Sequence, residues 1–264
     1  MNNQESTYKY LLYEVRERIA VITLNRPEKL NALTQTFWKE IRQALYAGDQ
    51  DKNVAVHVIT GKGRAFCAGD DISILTKIQN PADADELFLD CIYGLVDTIV
   101  HLKKPLISAV NGLAYGGGCE LVFLSDLAIA SEKATFALPE GHIGAFPAIL
   151  TALGPPVLGH KAVNELSMLG KSITAKRACE LGLVNLVVPN ARLLDTALSW
   201  AEQCKKSSPG ALRIIKETSS KILGDQLHSF WIGCHRFSRE ISRDADFLEG
   251  TAAFVEKRAP NYIR

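Results

Sequence analysis

Apolar positions along the chain recur with two different periods, and the order of those periods predicts the elements. Residues 10–15 and 19–24 are short β-branched or aromatic runs around Arg16-Glu17-Arg18, the pattern of an opening hairpin. Residues 34–47 place Phe37, Ile41 and Leu45 at helical spacing, and residues 54–60 are a continuous apolar run of the kind a strand buried on both faces requires. Asp83 with Glu86 has the form of a capping box, and Leu87, Cys91, Leu95, Val96 and Ile99 carry an amphipathic helix on to Leu102. Residues 105–110 predict a strand that leads straight into a run of glycines, and the apolar residues from Leu121 predict a helix. Residues 127–130 read as a short strand, 136–140 as an extended piece, and 141–159 as a glycine- and proline-rich connection. Thr174 starts a helix that Gly182 ends, before a strand at 184–188. From Leu193 onward the pattern is helical, with breaks near Ser207-Ser208-Pro209-Gly210 and at Gly224.

Strands and helices thus alternate through the first two thirds of the chain, and the last quarter offers helices alone. The expectation is an α/β core over residues 1–192 followed by a helical region over residues 193–264, an arrangement suited to oligomerisation. At 264 residues and 47% hydrophobic content the chain can bury a sizeable core. A formal net charge of +1, without a basic run, argues against nucleic-acid or membrane partners held mainly by electrostatics. The polar first residues have no basic-then-apolar order of a signal peptide, and no apolar stretch reaches the length of a bilayer span. Six widely spaced cysteines without a C-x-x-C pair fit reduced thiols, so the expected compartment is the cytoplasm.

Candidate chemistry centres on Asn111-Gly-Leu-Ala-Tyr-Gly-Gly-Gly-Cys-Glu120. Gly116, Gly117 and Gly118 let another molecule approach the main chain, and a helix starting there leaves its first amides unpaired, which suits an anion. Glu120 then falls in the first helical turn, where the helix dipole favours a negative charge. Tight packing alone would explain the glycines equally well. Other signatures fail: there is no G-x-S-x-G and no H-E-x-x-H, and the six histidines lack metal-ligand spacing, so metal catalysis is not expected. Gly170-Lys171-Ser172 lacks the earlier glycine of a phosphate loop, where Glu165 stands, and Gly61-Lys62-Gly63 lacks the third glycine of a dinucleotide fingerprint. Two small-residue loops remain, each after a buried strand, together with Glu120 and Glu140. Amides converging from two loops can hold a carbonyl oxygen that becomes negative, and two carboxyl groups can supply a base and an acid. Taken singly, Glu140 fits a surface acid after a proline better than a catalytic group.

The residues in combination resemble the crotonase, or enoyl-CoA hydratase/isomerase, superfamily. The resemblance runs through Leu24-Asn25-Arg26-Pro27, Leu30-Asn31-Ala32-Leu33, Arg64-Ala65-Phe66-Cys67-Ala68-Gly69-Asp70-Asp71-Ile72, Lys104-Pro105 and Ala109-Val110-Asn111-Gly112. It continues through Gly116 to Glu120, Phe136, Pro139-Glu140, Ile143-Gly144, Leu183-Val184-Asn185, Val187-Val188-Pro189 and Phe254-Val255-Glu256-Lys257-Arg258. It implies a spiral of ββα units, a helical C-terminal region that forms trimers or dimers of trimers, and an acyl-CoA thioester as substrate with no separate cofactor. By position, the amides of Asp70 and Gly117 would form the oxyanion hole, Glu120 would activate water, and Glu140 would deliver a proton to the α carbon. Coenzyme A would lie along Ala68, Asp70, Asp71, Ile72, Lys29 and Leu30, beside Gly117. Phe254 and Lys257 match positions that touch its nucleotide end from an adjacent subunit.

Both glutamates together favour an enoyl-CoA hydratase. An isomerase or a 3-hydroxyacyl-CoA thioester hydrolase on the same scaffold is the alternative. An RNA-binding homologue would need a basic helix, and residues 34–47 hold only Lys39 and Arg42 as cations. Three features depart from the common pattern. Asp70 stands where a small residue is usual, Gly141-His142 follows Glu140, and Phe146-Pro147-Ala148-Ile149 replaces a glycine-rich turn.

Overall fold

The opening hairpin forms as the pattern predicts, β1 (Leu11–Arg16) pairing antiparallel with β2 (Ile19–Leu24). Glu17 and Arg18 turn the chain with φ of 48° and 70°, the left-handed pair that a two-residue hairpin demands. The structure, a computed structural model, describes residues 8–262. Within it, β3 (Val56–Gly61), β5 (Leu106–Val110), β7 (Leu127–Ser131) and β10 (Leu186–Val188) extend the hairpin into a six-stranded sheet of order β1-β2-β3-β5-β7-β10, parallel from β2 onward. A second sheet, of order β4-β6-β8-β9, is built from β4 (Ala65–Cys67), β6 (Leu113–Tyr115), β8 (Thr135–Ala137) and β9 (Ile173–Thr174). The chain passes repeatedly from a strand of the larger sheet to one of the smaller and then into a helix. This α/β spiral of strand, strand and helix is the one that the resemblance to the crotonase superfamily implies.

Period-two alternation divides the larger sheet between two cores. Val56, Val58, Ile107, Ala109 and Ile129 face Leu193, Ala197 and Ala201 of the Leu193–Lys205 helix. On the other face, Ile22, Leu24, Ile59 and Val110 join the larger core with Phe37, Trp38 and Ile41 of the Gln35–Gln50 helix, which Thr34 caps.

Several expectations need correction. The small strands β4 and β6 break up stretches read as plain loop, and β6 intervenes between residue 110 and the glycines. The last two glycines of the run, Gly117 and Gly118, belong to the helix itself, which spans Gly117–Leu124 rather than starting after the glycines. Asn80, not Asp83, caps the helix before Leu102, accepting from the amides of Ala82 and Asp83, and its middle, Glu86–Tyr93, is π-helical. Glu140 starts a 3-10 turn, Glu140–Ile143, instead of ending an extended piece. The supposed connection 141–159 holds two short helices, Ala148–Leu153 and Pro155–Leu158. All six cysteines are unpaired, and Cys67, Cys91, Cys119 and Cys234 are buried. No helix of the described residues is long and apolar enough to cross a membrane.

Candidate active site

Three adjacent parallel strands of the smaller sheet each end in a loop carrying a residue singled out in the sequence. β4 runs into Ala68-Gly69-Asp70, β6 into Gly116-Gly117, and β8 into Pro139-Glu140. Neighbouring strands that point the same way bring the loops at their C-terminal ends side by side, where such sheets hold ligands.

The Asp70 loop is shaped by the loop at 26–33. Leu33 N–H donates to Gly69 O and Asp71 N–H to Leu33 O, both at 2.8 Å, and Ala68 N–H donates to Leu30 O at 3.0 Å. In this parallel bridge Leu33 bonds the residues flanking Asp70, so the N–H of Asp70 points away from it, and no described acceptor takes that N–H. Asn31 fixes both loops from inside. Its Nδ2 donates to the carbonyls of Lys62, Ala65 and Phe66 at 2.9–3.1 Å, and its Oδ1 accepts from Arg26 N–H at 2.8 Å. Arg26 also donates to Asp71 Oδ2 at 2.7 Å, holding that carboxyl below its ordinary range despite partial burial.

Gly69 lies directly against the glycine run. A Cβ there would stand 2.8 Å from Tyr115 O and 3.3 Å from Gly117 N, and its φ of +85° excludes most side chains. Gly117 opens its helix, so its amide has no carbonyl one turn back, and Gly116 offers no side chain to cap it. Two unpaired main-chain amides, those of Asp70 and Gly117, thus flank one narrow space.

Around that space sit three carboxyl groups. Glu120, buried at 5% exposure, points its Oε1 at the N-terminus of the Ala148–Leu153 helix and accepts from Ile149 N–H and Leu150 N–H, both at 2.9 Å. Pro147, the residue before that helix, supplies no capping group, so Glu120 takes the role from a distant element. Burial pushes Glu120 up to about 8, working against the two amides, with the charge of Asp70 adding to the rise. Glu140 Oε1 lies 3.0 Å from where a Cβ on Gly116 would stand, and its Oε2 is sealed without a hydrogen-bond partner among the described residues. Burial, then the charge of Glu120, raises Glu140 well above its ordinary value. Asp70 receives a 2.7 Å hydrogen bond from Trp38 Nε1 on Oδ1, and burial pushes it up to about 6. Its carboxyl lies deep in the protein, yet the residue keeps some accessible surface.

Ala68, Asp71 and Ile72 are half-buried on the same rim, and Leu30 adjoins them through its bond to Ala68, while Lys29 is exposed. Phe254 and Lys257 are exposed at the end of the Ala245–Glu256 helix. That helix packs on the Ile72–Leu75 helix and over the turn that begins at Glu140, where a Cβ on Gly144 would meet Asp246 and Phe247. His142 is exposed, and its carbonyl accepts from Tyr262 Oη at 2.6 Å. The Trp38 contact and the amides of Ile149 and Leu150 had no signal in the sequence, since Trp38 reads as one more apolar residue beside Phe37. Two open surface hollows, lined in part by Arg18 and Lys205 and by Tyr46 and His101, include none of the three acids. Among the described residues no group of three or more His, Cys, Asp or Glu side chains is arranged to hold a metal ion.

A sequence model of the enoyl-CoA hydratase/isomerase family matches residues 14–264. The mitochondrial enoyl-CoA hydratase of Pongo abelii is 34% identical over 265 residues, covering 97% of this chain and 89% of the relative. The carnitinyl-CoA dehydratase of Proteus mirabilis is 35% identical over 253 residues, covering 94% and 95%. Among solved structures, a carnitinyl-CoA hydratase from Mycobacterium avium superposes with a TM-score of 0.83 at 32% identity, covering 97% of this chain and 99% of the other. Sequence, architecture and the paired loops at the strand ends lead to one conclusion: the chain belongs to the enoyl-CoA hydratase/isomerase family.

Proposed function

We propose that the chain is an enoyl-CoA hydratase, adding water across the 2,3 double bond of a trans-2-enoyl-CoA. The observation that carries this reading is the placement of Glu120 and Glu140 around the unpaired amides of Asp70 and Gly117. The thioester oxygen docks on the two amides, which stabilise the negative charge as it develops; one such donor is worth about 3 kcal/mol in the barrier. In its ionised form Glu120, with Oε1 held by Ile149 and Leu150, keeps its other oxygen for a water molecule and takes the proton as hydroxide bonds to C3. Glu140, whose burial and whose neighbour Glu120 oppose ionisation, gives its proton to C2 as the enolate collapses. The proton taken by Glu120 returns to Glu140 through solvent, and the reaction needs neither a redox group nor a metal. Coenzyme A lies along Ala68, Asp71, Ile72 and the Lys29-Leu30 loop. Exposed apolar residues of the C-terminal helices, among them Ile214, Ile215 and Trp231, support trimers or dimers of trimers, in which Phe254 and Lys257 reach a neighbour's nucleotide.

The test is to follow crotonyl-CoA in parallel assays for loss of the conjugated double bond, release of free thiol and migration of the double bond. Hydration is expected to exceed the other two, and to fall by about 100-fold or more in Glu120→Gln and in Glu140→Gln. Thiol release or bond migration without hydration would replace this reading with a hydrolase or an isomerase.

A further inference from the structure

The amide of Asp70 has a place in the proposed reaction, but its carboxyl group has none. The side chain leaves the same Cα, so covalent geometry holds the carboxyl within ~4 Å of that amide nitrogen, beside the space left for the thioester carbonyl. Trp38 Nε1 fixes Oδ1 at 2.7 Å, a contact that orients the group and favours its anionic form. Oδ2 receives no hydrogen bond from a described residue and, unlike Glu140 Oε2, is not fully enclosed, since Asp70 keeps part of its surface. No Lys, Arg or His of the described residues forms an ion pair with Asp70, whereas the adjacent Asp71 is paired with Arg26. The charged groups that interact with Asp70 are themselves acids: Asp71 beside it raises it further, and its own charge raises Glu120 and Glu140.

A carboxyl group held deep in a protein without a cation is an unfavourable arrangement unless something arrives to complete it. Placed next to a carbonyl that becomes an enolate, its charge would also oppose the reaction. Coenzyme A carries phosphates and cannot neutralise it, so the one part of the substrate that could bring a compensating charge is the acyl group. Resting on the hydratase reading, we propose that Asp70 is a specificity-determining residue, its free carboxyl oxygen selecting acyl groups that carry a positive charge a few atoms from the thioester.

Two saturated thioesters test this without turnover: 4-(trimethylammonio)butanoyl-CoA and its neutral isostere 5,5-dimethylhexanoyl-CoA, which differ by nitrogen in place of one quaternary carbon. Calorimetric titration of the intact protein is expected to show the cationic ligand binding roughly tenfold to a hundredfold more tightly. Asp70→Asn, which keeps the amide and the size of the side chain, should remove most of that preference, and Asp70→Ser provides a second variant should the first fold poorly. Equal affinity of the two ligands for the parent protein overturns the proposal, as does a preference that survives in both variants, which would assign it to Glu120 or Glu140. Turnover of crotonyl-CoA together with equal affinities would sink this inference and leave the hydratase reading standing. Failure of both thioesters to bind, in a protein that also turns over no crotonyl-CoA, would end both.

Discussion

At position 120 the reaction and the fold can be separated by the choice of side chain. Glutamine keeps an oxygen for the amides of Ile149 and Leu150 but cannot accept a proton, so Glu120→Gln should lose turnover while unfolding close to the parent. Alanine leaves two buried amides unpaired, and Glu120→Ala should therefore also unfold about 2 kcal/mol more easily in a urea titration. Identical stability in the two variants would mean that Glu120 does not hold the helix at 148–153. Asn31 is a purely structural counterpart, holding three carbonyls with one amide group at a left-handed φ of 57°. Asn31→Ala is expected to cost about 2–3 kcal/mol of stability by the same measurement, and to weaken acyl-CoA affinity because the Asp70 loop loses its support.

Among elements, the close approach of the loops after β4 and β6 matters most. Gly69→Ala would drive a methyl group to 2.8 Å from Tyr115 O and force the amides of Asp70 and Gly117 apart. Turnover should fall by about 100-fold, the loss of one oxyanion donor, while the circular dichroism spectrum of the folded protein is retained. Full activity in that variant would show that the two amides do not act together. The elements that make this geometry are also those the sequence hides. The larger sheet was legible because residues such as Val54 to Thr60 form apolar runs long enough to show their kind, and Thr34 and Thr174 announce their helices as caps. Strands of three residues such as Ala65–Cys67 and Leu113–Tyr115 are shorter than any period they could display. The Ala148–Leu153 helix has no local start signal, because its cap is a carboxylate that lies 29 residues earlier in the chain. Glu120 and Glu140 were recognisable as a pair only through the family pattern. Their hydrogen bonds, and the pairing of Asp70 with Trp38, exist only once distant segments meet.

On the scale of the whole molecule, the sealed acids make stability depend on pH. An acid whose folded pKa is raised still holds a proton that the unfolded chain has already released, so its contribution is complete at low pH and is lost as pH climbs through the folded value. Burial raises Asp70 from 3.8 to about 6 and Glu120 from 4.5 to about 8, and raises Glu140 well above its ordinary value. His57, buried and depressed from 6.5 to about 3, acts in the opposite sense, but only below 6.5. Between pH 6.5 and 8 the glutamates therefore govern the trend. The unfolding free energy of the ligand-free protein should drop across that interval by at most about 1.4 kcal/mol per pH unit for each group still protonated, and the thermal midpoint should fall with it. Glu140→Gln should flatten the slope; a midpoint that rises with pH over the interval would contradict the burial of these acids.

The double service of Glu120 also bears on how this scaffold can change its chemistry. The acid at 140 follows the end of β8, and its Oε2 has no described partner, so another residue there disturbs little beyond the reaction. In the proposed reaction the acid at 120 is a fastening as well as a reagent, since the first turn of a neighbouring helix hangs from it. A lineage drifting toward a new reaction can therefore exchange position 140 freely, whereas exchange at 120 requires an oxygen in its place or a new anchor for residues 149 and 150.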